Sequence, residues 1–193
     1  MASRAQPVSI AGDEHASLWR MPSRHLWEVH AWSQSVGALA TALHGATGAA
    51  APTDMCRVTS DDAGVLVLQL GPQRWWVLAS PGRDVSAALM QHVTPDIGSV
   101  VDLAHARKTF QVRGLGAAGV VARLSQIETH HDAFAVGAFA QTGIHHVGVL
   151  IMAVSDEGGR AFDILVPTTF AFSLRATMQQ AVKDEIAAPA PRV

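Results

Sequence analysis

Two apolar runs joined across a short turn occur twice in this chain, and they constrain its fold more than any other feature. VLVLQL (65 to 70) and WWVLA (75 to 79) flank Gly71-Pro72-Gln73-Arg74, while VGVLIMAV (147 to 154) and AFDILV (161 to 166) flank Ser155-Asp156-Glu157-Gly158-Gly159. Apolar runs of this length around Gly- and Pro-containing turns predict β-hairpins. A hairpin is antiparallel and needs an apolar layer on at least one face. The chain must therefore supply helices or a second sheet to cover two such surfaces.

The flanking segments predict the helices. HLWEVHAW (25 to 32) alternates, with Trp27, Val29 and Ala31 on one face and Glu28, His30 and Trp32 on the other, as in a strand. Val36, Leu39, Ala40 and Leu43 then fall on one helical face, with Ser33 placed to cap the start and Gly45 the end. The low-complexity stretch GATGAAAPTD reads as a loop. After the first hairpin, Ser80-Pro81 predicts a helix start, with Val85, Ala88, Leu89 and His92 facing inward. VVDL (100 to 103) and KTFQVR (108 to 113) read as strands, and Ala117, Val120, Val121 and Leu124 as a helix face. Residues 125 to 143 read as loop, and Thr168 or Thr169 caps a last helix through Phe170, Leu174, Met178 and Ala181.

Strand, helix, hairpin, helix is thus written twice. The expected fold class is α+β, with duplicated ferredoxin-like β-α-β-β-α halves. The expected organisation is an N-terminal arm over 1 to 22 and a single domain over 23 to 186. That domain holds two pseudo-repeats, about 23 to 95 and 98 to 184, and a disordered tail follows over 187 to 193.

Composition narrows the function classes. Lys+Arg is 14 and Asp+Glu 16, a net charge of −2 over 193 residues, which does not suit an electrostatic grip on nucleic acid. No apolar run approaches the roughly 18 residues of a membrane helix, and the N-terminus carries no secretory pattern. Cys56 is the single cysteine, so no internal disulfide forms, in keeping with a cytoplasmic location. Charged residues are 16% against a usual value of about 25%. A chain this sparsely charged either reflects its alanine content or has surface covered by partners.

Catalytic and metal signatures are weak. The pairs His130-His131 and His145-His146 point to opposite faces if extended, which does not suit chelation of one ion. Cys56 lies in a loop between polar residues, where a lone cysteine is more often a small structural residue than a reactive one. Gly114-Leu115-Gly116-Ala117-Ala118-Gly119 has dinucleotide-binding spacing, and Asp132 lies near the distance of its acidic partner. The preceding segment is broken by polar residues, however, unlike a buried parallel strand. The glycines are read as serving a tight strand-to-helix turn and close helix packing. We assign no catalytic, cofactor-binding or metal residue.

Trp75 and Trp76 are neighbours on one strand, so their rings lie on opposite faces. One is expected in the core. The other is expected outward, forming a partner-facing surface with His105 and Arg107 of the DLAHAR turn.

Four segments carry a resemblance: GPQRWWVLA (71 to 79), VVDLAHARKTFQVRGLGAA (100 to 118), FAVGAFAQT (134 to 142) and FDILVPTTFAFSL (162 to 174). In this order they resemble the sarcosine oxidase gamma subunit family, over about residues 65 to 180. Ala104 stands where that family usually has Ser, and Thr168-Thr169 where Arg-Ser is common. The resemblance implies a fold similar to the folate-binding aminomethyltransferase (T-protein) of the glycine cleavage system. It implies a non-catalytic structural subunit of a heterotetramer that demethylates sarcosine to glycine. The one-carbon unit passes to tetrahydrofolate or leaves as formaldehyde, and hydrogen peroxide forms. FAD, FMN, NAD, tetrahydrofolate and zinc are then expected on the larger alpha and beta subunits and the small delta subunit. Two rival readings are a stand-alone folate-binding protein and the small subunit of a related methylated-amine dehydrogenase. The first would need a pterin-holding carboxylate, for which Asp102 is best placed; the plainer reading of Asp102 is a turn cap.

Overall fold

The computed structural model describes residues 6–156 and 159–188. The chain folds into two compact units, one built on Ser23–Ala106 and the other on Gln6–Pro22 with Arg107–Val193. The turn residues 157 and 158, residues 1–5 of the expected arm and residues 189–193 of the expected tail lie outside the described residues.

The first unit runs β3 (His25–Ala31), α1 (Val36–Thr47), β4 (Val58–Ser60), β5 (Val65–Gly71), β6 (Arg74–Ala79), α2 (Ser86–His92) and β7 (Gly98–Asp102). Its sheet has the order β4-β5-β6-β3-β7, and every pairing is antiparallel. The second unit begins with β1 (Val8–Gly12) and β2 (Ser17–Arg20) and resumes at β8 (Arg107–Arg113). It continues with α3 (Ala117–Leu124), β9 (Phe139–Ile144), β10 (Val147–Asp156), β11 (Gly159–Pro167), a 3-10 turn over Thr168–Phe170 and α4 (Ala171–Ile186). Its sheet order is β1-β2-β8-β11-β10-β9, again antiparallel.

The two orders superimpose as topologies. First strand, helix, three strands and helix recur, with β3 matching β8, β6 matching β11 and α2 matching α4. The place beside the first strand is filled by β7 in one sheet and β2 in the other. This is the duplicated α+β pattern expected from the two hairpins.

Period-two patterning sets each helix-covered core. Trp27 and Val29 of β3, Val67 of β5 and Val77 of β6 pack with Leu39 and Leu43 of α1 and Leu89 of α2. In the second unit Phe110, Ile151, Phe162 and Ile164 pack with Val120 and Val121 of α3 and with Leu174 and Met178 of α4. All four residues expected on the inner face of α3 are buried.

Several expectations are corrected. Residues 8 to 20, read as an irregular arm, form the β1-β2 hairpin, in which Leu18 is fully buried. These strands are short; β1 pairs with β2, and β2 joins the sheet through β8, which lies far away in sequence. The stretch 125 to 143, expected as loop, contains the start of β9. The strand at 98 to 102 pairs with β3, so it belongs to the first sheet rather than the second half. Helix α1 ends at Gly48, with φ of 81°, and not at Gly45. Gly45 is instead a contact point, since a Cβ there would lie 2.9 Å from the His92 ring of α2. Ser35, not Ser33, holds the N-cap position of α1, without a side-chain hydrogen bond. Ser80 does not cap α2 because its hydroxyl donates to the Gly64 carbonyl, and the helix begins at Ser86. Thr168 and Thr169 lie in the 3-10 turn rather than capping α4, and Phe170 is exposed.

Candidate functional site

The outward tryptophan is not found. Trp75 lies on the helix-covered face at 1% exposure, and Trp76, on the opposite face, is also buried at 5%. Both faces of β6 are covered, so neither ring is free to anchor a partner, which corrects the expectation drawn from alternation alone. Trp76 instead donates from Nε1 to Glu28 Oε2 at 2.7 Å. Of the other expected interface residues, His105 is exposed in the turn after β7. Arg107 is half-buried and donates to the Gly148 carbonyl at 3.2 Å.

Glu28 is the centre of a polar cluster that is not among the expected site residues. It faces Trp76 directly across the β3-β6 ladder, while His30 follows on the same face. His30 Nε2 lies 2.8 Å from Glu28 Oε1, so both carboxylate oxygens are engaged. Burial raises the Glu28 pKa, but the hydrogen bonds from His30 and Trp76 and the charges of His30 and Arg74 outweigh it. The carboxyl is held below its ordinary value. Such a carboxylate is an acceptor locked in place, poorly suited to take a proton from a substrate.

The matching strand pair of the second unit carries a related cluster. Asp163 of β11 faces Gln111 of β8, and Gln111 Nε2 donates to Asp163 Oδ1 at 2.6 Å. Asp163 is 1% exposed. Arg113 extends the chain: its Nε donates to Gln111 Oε1 and lies 3.2 Å from Asp156 Oδ2. Its guanidinium also sits 4.8 Å over the Trp19 ring. One signal for this cluster was present in the sequence, a lone Asp inside the apolar run AFDILV.

The glycine run has the packing role. Gly114 has φ of +100°, and a Cβ on it would lie 2.4 Å from the His15 carbonyl oxygen. Gly119 faces the Glu185 carboxylate, which reaches back from α4 and pairs with Arg123 at 2.9 Å. A carboxylate thus stands over the helix start where a phosphate would need open space and donors. Asp102 caps its turn, with Oδ1 accepting the Ala104 N–H at 2.8 Å. It lines a shallow 390 Å³ depression formed by residues 102 to 106. Cys56 is exposed, with φ of 61°. His130 and His131 both approach Asp132 in an exposed turn, at 3.6 and 3.9 Å. No helix among the described residues is long and apolar enough to cross a membrane.

Comparisons with known proteins meet this geometry. No family profile matches the chain. The sarcosine oxidase gamma subunit of Arthrobacter sp. is 25% identical over 165 residues, covering 75% of this chain and 81% of the relative. That of Corynebacterium sp. strain U-96 is 25% identical over 160 residues, covering 83% and 77%. Among solved structures, a chain of the heterotetrameric sarcosine oxidase from Corynebacterium sp. U-96, in complex with pyrrole 2-carboxylate, matches with a TM-score of 0.81. The identity is 25%, and the match covers 98% of this chain and 93% of that one. The glycine cleavage system aminomethyltransferase T of Bartonella henselae matches at a TM-score of 0.65 and 18% identity. It covers 88% of this chain and 49% of that one, a likeness of fold alone. In sequence and in the aminomethyltransferase-like fold, the chain resembles the gamma subunit of sarcosine oxidase.

Proposed function

We propose that this chain is a structural, non-catalytic subunit of a heterotetrameric sarcosine oxidase-like complex. The match to a chain of such an oxidase over nearly the full length of both carries this reading. The polar clusters support it. Glu28 and Asp163 are each committed to neighbours in their own sheet. In this reading the partner subunits hold FAD, FMN, NAD, tetrahydrofolate and zinc and oxidise sarcosine to glycine in the cytoplasm. The methyl carbon goes to tetrahydrofolate or leaves as formaldehyde, and dioxygen is reduced to hydrogen peroxide. The exposed His105 turn belongs to the partner-facing surface.

The test is to purify the tagged full chain from its native host and assay the eluate. A flavin spectrum, larger subunits in fixed ratio and sarcosine-dependent peroxide are expected. The chain expressed alone is expected to show neither flavin absorbance nor oxidase activity. Flavin retained by the isolated chain through gel filtration would overturn the reading.

A further inference from the structure

Helix α4 buries one face and leaves another without a partner. Leu174, Met178, Ala181 and Val182 face the second unit's core. Phe172, Arg175, Lys183 and Ile186 fall on a different stripe, spaced by 3, 8 and 3 residues, which returns to one side of a helix. Phe172 is 88% exposed, the exposed Phe170 lies just ahead of it, and Ile186 is partly exposed at the far end. Arg175 and Lys183 are exposed between them.

The charges on this stripe are of one sign. Of the nearby carboxylates, Glu185 pairs with Arg123 of α3, while Asp184 accepts from Gln180 at 2.8 Å and lies off the stripe by one helical step. Among the described residues no ion pair involves Arg175 or Lys183. A helix face with aromatic anchors at one end and two exposed cations along it, neither in an ion pair among the described residues, sets positive charge beside an apolar contact.

We infer that the outward face of α4, anchored by Phe172 and flanked by Arg175 and Lys183, docks on an acidic partner subunit surface that offers an apolar pocket. This rests on the reading of the chain as an oxidase subunit and names the surface that reading leaves unspecified. The Phe172 ring supplies apolar area. The two cations select carboxylates around the pocket and make attachment weaken as salt rises.

The experiment uses the tagged full chain expressed in its native host. Three forms are compared: wild type, Phe172→Ala, and the double variant Arg175→Glu with Lys183→Glu. Retention of the larger flavin-bearing subunits is measured against salt. Each altered form is expected to hold those subunits about thirtyfold less tightly than wild type, while the free chain melts at an unchanged temperature. Wild type and variants retaining the subunits equally would overturn the docking proposal and leave the function reading intact. Wild type retaining no flavin-bearing subunit would overturn both. A photo-crosslinking phenylalanine analogue at position 172 guards against a folding defect in the variants. Crosslinks to an acid-rich segment of a larger subunit support the proposal, and crosslinks only between two copies of this chain overturn it.

Discussion

The two units share a strand order but distribute polar groups differently across the same pair of strands. In the first, β3 carries the carboxylate Glu28 and β6 the donor Trp76. In the second, β8 carries the donor Gln111 and β11 the carboxylate Asp163. A second nitrogen base or cation follows two residues on in the first strand of each, His30 in one and Arg113 in the other. The place of the hydrogen-bonded pair recurs in both units, while the acid sits on opposite strands. What constrains a sheet is that buried polar atoms meet, not which strand contributes which partner. Burial separates the two: the Glu28 side chain keeps 22% of its exposure, whereas Asp163 keeps 1%. The second cluster should therefore matter more to folding.

The largest effect tests how far the first unit depends on the two buried rings of β6. Trp75→Ala should cost about 3–5 kcal/mol, and Trp76→Ala a similar amount, because both rings are buried. Thermal melting followed by tryptophan fluorescence would show it. Near-neutral melting for Trp76→Ala would return that ring to the surface and revive it as a partner anchor.

Removal of each acid is the direct contrast. Asp163→Ala strands the buried Gln111 amide and should cost about 2–3 kcal/mol, against about 1 kcal/mol for Glu28→Ala. Denaturant midpoints of the two variants would rank them, and the reverse order would break the comparison.

A third prediction concerns the glycines at the start of α3, the first helix of the second unit. Gly114 leads into α3 with φ of +100° and with the His15 carbonyl against it, so Gly114→Ala should cost about 2 kcal/mol. Gly119→Ala meets only the mobile end of Glu185 and should cost less. Comparable losses at both positions would mean that α4 cannot shift its side chain.

The smallest effect is electrostatic. The folded chain holds the Glu28 carboxyl below 4.5, so it binds this proton less readily than the unfolded chain does. The stability this contributes is present above about pH 4.5 and is lost as pH falls through the lower folded value. Wild type should therefore out-melt Glu28→Gln by a small margin at about pH 6, with the margin vanishing in more acidic buffer. A margin that grew with acidity would contradict the ionised, doubly hydrogen-bonded carboxylate.

What could be read from the sequence was local. The β5-β6 and β10-β11 hairpins were legible because each strand's partner lies a turn away. The buried face of α3 was legible because four apolar residues mark it without ambiguity. Strands β1, β2 and β9 were not: β1 pairs with β2 and β9 with β10 across short turns, but their segments mix small, polar and apolar residues without a continuous apolar run, and β2 is placed by β8, distant in sequence. Glu28 and Asp163 were visible as polar residues in apolar strands, but their partners lie 48 and 52 residues away.

By itself, then, the sequence determined the secondary-structure alphabet, the duplicated order and the resemblance to an oxidase subunit. Alternation and turn chemistry act over a few residues and survive without tertiary context. Only the tertiary structure decided which sheet β7 and β2 join, that both faces of β6 are covered, and that the glycine run cradles His15 and Glu185. The physical reason is the same in each case: burial and register depend on which distant surface arrives, and a strand presents two equivalent faces until one does.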